Sequence, residues 1–251
     1  MKLKTAFITG ATSGIGKATA EIFAKNNIQL VLCGRRAERL AKIKEQLEKL
    51  TKVTALQFDV SKKEDVFNAI KSLPQEFQNI DILINNAGNA HGLSTIQDGS
   101  TDDWDAMLDI NVKGLLYVSK AILPKMIEKN TGFIVNIGSI AGKEVYPNGN
   151  VYCASKYAVN ALNKSMRLDL NKYNIRVSAI HPGAVETEFS EVRFKGDKEK
   201  AANVYKGFNA LQANDIAEII YFVISRPAHV NIEDLIVYPT AQASATILNR
   251  V

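Results

Sequence analysis

The sequence predicts one α/β domain spanning residues 1–251, a doubly wound parallel sheet with helices on both faces. Three observations lead there. Short aliphatic runs alternate with amphipathic stretches along most of the chain. The runs are near-continuous rather than alternating, which marks strands covered on both faces. Strand–helix–strand order with helical crossovers then makes neighbouring strands parallel.

The elements follow in order. Thr5-Ala6-Phe7-Ile8-Thr9 reads as a buried strand, followed by a helix from about Gly14 to Asn26. Ile28 to Cys33 is the second strand, and the charged stretch from Ala37 to Leu50 the second helix. Thr54 to Phe58 and Ile80 to Ile84 are strands bracketing a helix near Lys62 to Leu73. A long helical stretch runs from Thr101, read as its N-cap, to about Lys129. Strand Phe133 to Ile137, a helix near Tyr152 to Lys172 and strand Arg176 to Ile180 complete the pattern. In sheets of this kind ligands sit at the carboxyl ends of the strands, beside the point where the winding reverses.

Composition narrows the class. Of 251 residues, 46% are hydrophobic and 23% charged, which excludes a largely disordered chain. The longest purely apolar run, Ile219 to Ile224, is far short of the ~18 residues a membrane helix needs. Lys2 and Lys4 precede an apolar stretch that Thr9-Gly10 ends too early for a signal-peptide core. Cys33 and Cys153 are too few for a disulfide framework and too far apart for a metal knuckle. The net charge of +5 is spread among acids, even in the cluster Lys195-Gly196-Asp197-Lys198-Glu199-Lys200, so nucleic acid is not the expected partner. A reduced, cytoplasmic enzyme or binding protein is the expectation, with no metal.

Thr9-Gly10-Ala11-Thr12-Ser13-Gly14-Ile15-Gly16 joins the first strand to the first helix. A helix N-terminus carries unpaired amides and about half a positive charge, which attract pyrophosphate. Glycines there permit a tight turn and close phosphate approach. Gly10, Thr12, Ser13, Gly14, Ile15 and Gly16 are therefore candidate cofactor contacts in a Rossmann-type domain. An NTPase loop is rejected, because Gly16-Lys17 follows Gly10 one residue late and Ala18 stands where a metal-binding hydroxyl is needed. After the second strand, Gly34-Arg35-Arg36 offers two guanidiniums where NAD enzymes place an acid. Their planar forks suit the 2′-phosphate of NADP. Asp59, next to Val60, can accept from the adenine amino group, and Asn85-Asn86-Ala87-Gly88 lies where the adenosine half would rest.

Tyr152 and Lys156, four residues apart, share one helix face. A free tyrosine, with a pKa of about 10, is roughly 0.1% ionised at pH 7. A neighbouring ammonium and an oxidised nicotinamide both favour the phenolate. Lowering the pKa by about three units corresponds to about 4 kcal/mol. Tyr152 then serves as general acid or base towards an alcohol or carbonyl oxygen, with Ser139 donating to the same oxygen.

With Thr9-Gly10-x3-Gly14-x-Gly16, Asn85-Asn86-Ala87-Gly88, Asn111, Ser139, Tyr152-x3-Lys156 and Pro182-Gly183-x3-Thr187 in this order, the chain resembles a short-chain dehydrogenase/reductase over essentially its whole length. The resemblance implies NAD(P)-dependent interconversion of alcohol and carbonyl, with Ser139, Tyr152 and Lys156 as the working trio. It implies that Asn111 holds a water linking Lys156 to solvent and that Lys156 binds the nicotinamide ribose. It also implies that Pro182, Gly183, Val185 and Thr187 cradle the nicotinamide. Gly138-Ser139-Ile140-Ala141-Gly142, Tyr146-Pro147, Val151 to Lys156, Val185 to Ser190, Val192-Arg193-Phe194 and Val237 to Ser244 are similar to the NADP-dependent 3-hydroxy acid dehydrogenase group of that family. That group implies oxidation at C3 of short hydroxy acids such as serine or allo-threonine, a cytosolic location and a homotetramer.

A 3-hydroxy acid needs a cation for its carboxylate, and Arg193 is the candidate clamp, in a lid expected over about residues 186–210. Its competing reading is a surface or subunit contact. Glu186 is a candidate for a substrate ammonium, against a solvent-facing acid; His91 and His181 are each read as structural residues following a strand. A serine hydrolase is excluded because Ile137 stands where its elbow requires glycine. A nucleotide-sensing protein without chemistry and a reductase of ketones or acyl thioesters are the rivals. Apolar residues on more than one face of the long helix and the Tyr152 helix (Leu115, Leu116, Tyr117, Val118; Ala158, Val159, Ala161, Leu162) suit subunit packing, and the tail, residues 240–251, is expected to dock on a neighbouring subunit.

Overall fold

The computed structural model describes residues 4–251; residues 1–3, Lys2 among them, lie outside the described residues. The chain runs β1 (Thr5–Ile8), α1 (Gly14–Lys25), β2 (Gln29–Gly34), α2 (Ala37–Leu47), β3 (Val53–Gln57), α3 (Lys63–Lys71) and β4 (Ile82–Asn85). It continues through α4 (Thr101–Leu108), α5 (Leu115–Glu128), β5 (Gly132–Ile137), α6 (Asn150–Leu170) and β6 (Ile175–Pro182). Then come β7 (Val185–Glu186), α7 (Phe189–Arg193), α8 (Lys198–Asn203), β8 (Leu211–Gln212), α9 (Ala213–Ile224) and β9 (Asp234–Val237).

Seven strands pair in the order β3-β2-β1-β4-β5-β6-β9, parallel throughout. The aliphatic runs explain why both faces are covered. Ala6, Ile8, Leu30, Leu32, Ile82, Ile84, Phe133 and Val135 enter one core with residues of α1, α2 and α9. Phe7, Val31, Cys33, Leu83, Ile134 and Val177 enter the other with residues of α3, α5 and α6. Each fully buried Val, Leu, Ile or Phe among them contributes about 1.5–3 kcal/mol. The winding reverses between β1 and β4, which places the ligand crevice there.

Several sequence expectations are corrected. Ser100, not Thr101, is the N-cap of α4, and Thr101 is its first helical residue. The stretch to Lys129 is helical throughout but widens into a π-turn over Asp109–Gly114, between α4 and α5. His181 lies inside β6 rather than after it. Past Ile180 the sequence pattern assigns no further strand or helix, although it contains the apolar run Ile219 to Ile224. That run ends α9, which buries Ile216, Ala217, Ile220, Val223 and Ile224 and begins with a reciprocal cap between Gln212 and Asp215. Besides these corrections, the tail is held at two points within its own chain: the Asn249 amide donates to the Ala241 carbonyl, and the Val251 amide to that of Gly207, each at 2.8 Å.

Candidate active site

A cavity of about 700 Å³ opens over the carboxyl ends of the strands on both sides of the reversal point. Its near end is the first turn. Gly10 and Gly14 have φ of +65° and +51°, the left-handed region glycine occupies without strain. Gly16 is needed for closeness: a Cβ there would lie 2.4 Å from both the Gly10 carbonyl oxygen and Asn86 Nδ2. The Asn86 amide braces the turn, donating to the carbonyls of Thr9 at 2.9 Å and Gly10 at 3.2 Å.

The adenosine end is cationic. Arg36 donates through Nε and Nη2 to Thr12 Oγ1 at 3.3 and 2.9 Å, and through Nη2 to Ser13 Oγ at 2.8 Å. Arg35 lies 3.6 Å from the Asp59 carboxylate, which also accepts from the amide and hydroxyl of Ser61. Arg35, Arg36, Asp59, Val60 and Asn86 all line the cavity, together with Gly10, Thr12, Ser13, Gly14 and Ile15. Gly16 acts beneath the turn. A glycine cradle at a helix start, leading to a pair of guanidiniums, fits a dinucleotide with an extra phosphate at its adenosine end.

Asn85 is not brought to the cavity. Its buried side chain donates to Ser119 Oγ at 3.0 Å and Asn136 Oδ1 at 2.9 Å, on the α5 side of the sheet. The period-two alternation of a strand already implied this, since Asn85 shares the face of Leu83. Asn111 is likewise buried. Within the π-turn its side chain accepts from the Asn89 amide and donates to the Asn89 carbonyl, both at 2.8 Å, and donates to Ser155 Oγ at 3.0 Å.

The far end holds the candidate reacting groups. Ser139 caps the short turn Ile140–Gly142, its Oγ accepting from the Ala141 amide at 3.1 Å and leaving its proton free. Tyr152 and Lys156 project from the first turns of α6, both nearly inaccessible. Lys156 Nζ donates to the Ile137 carbonyl at 2.9 Å and stands 6.0 Å from the centre of the Tyr152 ring. Burial lowers the Lys156 pKa to about 8. Burial also raises the Tyr152 phenol to about 12, opposed by the charge of Arg193 and by the Ser139 hydroxyl. Among the protein's own groups the cost of desolvating the phenolate dominates, and the cation that opposes it is the Arg193 guanidinium.

The structure places Arg193 against the phenol. Its guanidinium carbon lies 4.8 Å from the Tyr152 ring centre and 5.4 Å from that of Phe189, and Nη2 donates to Tyr146 Oη at 2.7 Å. Its Nε is buried without a partner. Pro182, Gly183, Val185 and Thr187 form the adjoining wall. Gln242 Oε1 accepts from the Ala184 amide at 2.8 Å, and the Val185 carbonyl accepts from Tyr205 Oη at the same distance. Gln242 and Tyr205 were not singled out from the sequence, where no local pattern links them to this loop. Glu186 points away, bonded to Gln212. His91 bonds Asn89, and the His181 Nδ1 contacts the Ser139 carbonyl, burial holding each imidazole's pKa below its ordinary value. Among the described residues, no group of three or more His, Cys, Asp or Glu stands close enough to hold a metal ion. No helix among them is long and apolar enough to cross a membrane.

A glycine turn at the winding reversal and a Ser-Tyr-Lys constellation opposite it define a nucleotide-dependent oxidoreductase site. A family model described as short chain dehydrogenase matches residues 4–198. The chain is 44% identical over 239 residues to the NADP-dependent 3-hydroxy acid dehydrogenase YdfG of Salmonella typhi, covering 95% of this chain and 96% of that protein. It is 44% identical over 250 residues to the NADP-dependent 3-hydroxy acid dehydrogenase of Schizosaccharomyces pombe, covering 98% and 96%. Among solved structures, the closed form of a serine dehydrogenase complexed with NADP+ superposes with a TM-score of 0.93 at 41% identity, over 98% of this chain and 99% of that one. The chain belongs to the short-chain dehydrogenase family.

Proposed function

We propose that this protein is an NADP-dependent oxidoreductase acting on the C3 alcohol or ketone of short 3-hydroxy acids, of the serine, allo-threonine or 3-hydroxypropionate type. The observation that carries the substrate class is Arg193, a guanidinium with an unpartnered buried Nε beside the Tyr152 ring. A carboxylate two bonds from the reacting carbon would meet that donor while the C3 oxygen meets Tyr152 and Ser139.

When bound, NADP supplies the hydride acceptor or donor at its nicotinamide. Gly10, Thr12, Ser13, Gly14, Ile15, Arg35, Arg36, Asp59, Val60 and Asn86 hold its adenosine and phosphate portion; Pro182, Gly183, Val185 and Thr187 hold the nicotinamide. Lys156 binds the nicotinamide ribose hydroxyls, and Asn111 keeps Asn89 and Ser155 in place beside it and holds the relay water. In the oxidative direction Tyr152, as phenolate, takes the hydroxyl proton while the C3 hydrogen leaves with its electron pair, giving the 3-oxo acid. In reverse its phenol returns that proton. The free proton of Ser139 Oγ bonds the same oxygen throughout, so charge developing there is stabilised in either direction. Residues 186–210, carrying α7 and α8, act as a lid that brings Arg193 over the substrate.

We assign the enzyme to the cytosol, since Cys33 and Cys153 are free and buried thiols, Cys33 pushed up to about 12 by burial. A homotetramer is supported by Leu116 of α5 and Tyr157 and Leu168 of α6, all exposed. The experiment that tests the function is NADP+ reduction with serine, allo-threonine and 3-hydroxypropionate, against NADPH oxidation with a 3-oxoacyl thioester. Turnover of the hydroxy acids with NADP+ supports the assignment; turnover of the thioester alone replaces it.

A further inference from the structure

Glu188 reaches across the cavity from the residue before α7 to the arginines after β2. One of its oxygens accepts from Arg36 Nη1 at 2.9 Å, and both accept from Arg39 Nη1, at 2.7 and 2.8 Å. Arg36 simultaneously binds the hydroxyls of Thr12 and Ser13. Two guanidiniums thus meet one carboxylate, and one of them is also held by two hydroxyls, at the place where an extra phosphate on the adenosine end is expected. Such a set has the composition of a phosphomonoester site, and an internal anion occupies it. The three charged side chains are each between 42% and 47% exposed, so a ligand can reach them. Arg39, one helical turn from Arg36, was not among the residues singled out from the sequence.

We propose that Glu188 is the protein's own stand-in for the 2′-phosphate of NADP, competing with it for Arg36 and Arg39, and that Arg39 is a further phosphate-binding residue. Binding of NADP then exchanges a carboxylate for a phosphate dianion at the same cations, whereas NAD, lacking the phosphate, leaves the internal pair intact. The pair is exposed and monovalent, so it weakens NADP binding only modestly, and it hastens the cofactor's departure. This rests on the NADP reading of the cavity.

The test is calorimetric titration of the full chain with adenosine 2′,5′-bisphosphate, which carries the phosphate but no nicotinamide, with AMP as control. Wild type should prefer the bisphosphate; equal affinities would remove the cofactor reading and the competition together. Glu188→Gln should bind the bisphosphate about three- to fivefold more tightly, and Arg39→Ala about fivefold more weakly, both with AMP affinity unchanged. If wild type prefers the bisphosphate but Glu188→Gln binds it equally or less well, the competition is overturned and the NADP reading stands. Unchanged affinity in Arg39→Ala removes that residue from the site.

Discussion

Replacing Lys156 by Met should stabilise the protein while abolishing its proposed activity. The ammonium is buried, and burial lowers its pKa from 10.5 to about 8. At about 1.4 kcal/mol per pH unit, holding the charge inside costs the folded state about 3 kcal/mol at pH 7. Methionine fills much of the same space with no charge but leaves the Ile137 carbonyl without its donor, an offset of about 1 kcal/mol. The net gain is about 2 kcal/mol. With an unfolding entropy of about 2.1 cal/mol/K per residue, a chain of this length should melt about 4 °C higher. The sign with pH is also fixed. Below pH 8 both folded and unfolded lysine are protonated and the full cost applies; between 8 and 10.5 the folded protein sheds its proton first and the cost falls away. Wild type therefore approaches the variant's stability as pH rises through that window. Thermal melts of both proteins from about pH 7 to pH 10 measure the difference. A variant less stable at pH 7, or a difference independent of pH, would refute the reasoning.

Arg193→Ala should raise KM for a 3-hydroxy acid by about 10- to 100-fold, the loss of charge-assisted hydrogen bonds of about 1.5–3 kcal/mol. The Kd of NADP should stay as in wild type, and an unchanged KM in steady-state assays removes Arg193 from the substrate site. Gly16→Ala should cost at least about 2 kcal/mol and abolish NADP binding, because the new Cβ would sit 2.4 Å from the Gly10 carbonyl oxygen. Calorimetry and melting curves check both, and wild-type binding would contradict the packing. The phenol of Tyr152 is pushed up to about 12 by burial. Oxidation, which needs the phenolate, should therefore quicken as pH rises from about 7 to 9, while reduction, which needs the phenol, should not. Initial rates in both directions report this, and opposite slopes would contradict it.

The parts of this molecule that were legible in sequence are those written in local pattern. The aliphatic runs of β1, β2 and β5 and the glycine turn have signatures that depend on neighbouring residues alone. Tyr152 and Lys156 were legible as a pair because four residues bring side chains to one helix face. Arg193 was singled out by its segment and its chemistry; its stacking on Tyr152 depends on α7 folding across the cavity. Asn111 turns inward because the helix widens to a π-turn, which no residue type announces. Glu188 meets Arg36 and Arg39 across about 150 residues of chain, a separation no spacing rule spans. The depth at which the Tyr152 phenol is buried escaped the sequence for a related reason. Spacing places a lysine nearby, but only the packed structure shows how thoroughly the phenol is buried and that the lysine head is held by the Ile137 carbonyl.

The proton carried by Tyr152 Oη is the centre of the account, and Tyr152→Phe removes that atom alone. In NADP+ reduction with serine or 3-hydroxypropionate at saturating cofactor, kcat should fall at least about a thousandfold while NADP affinity stays within about twofold of wild type. A phenylalanine variant that turns over at the wild-type rate would contradict it.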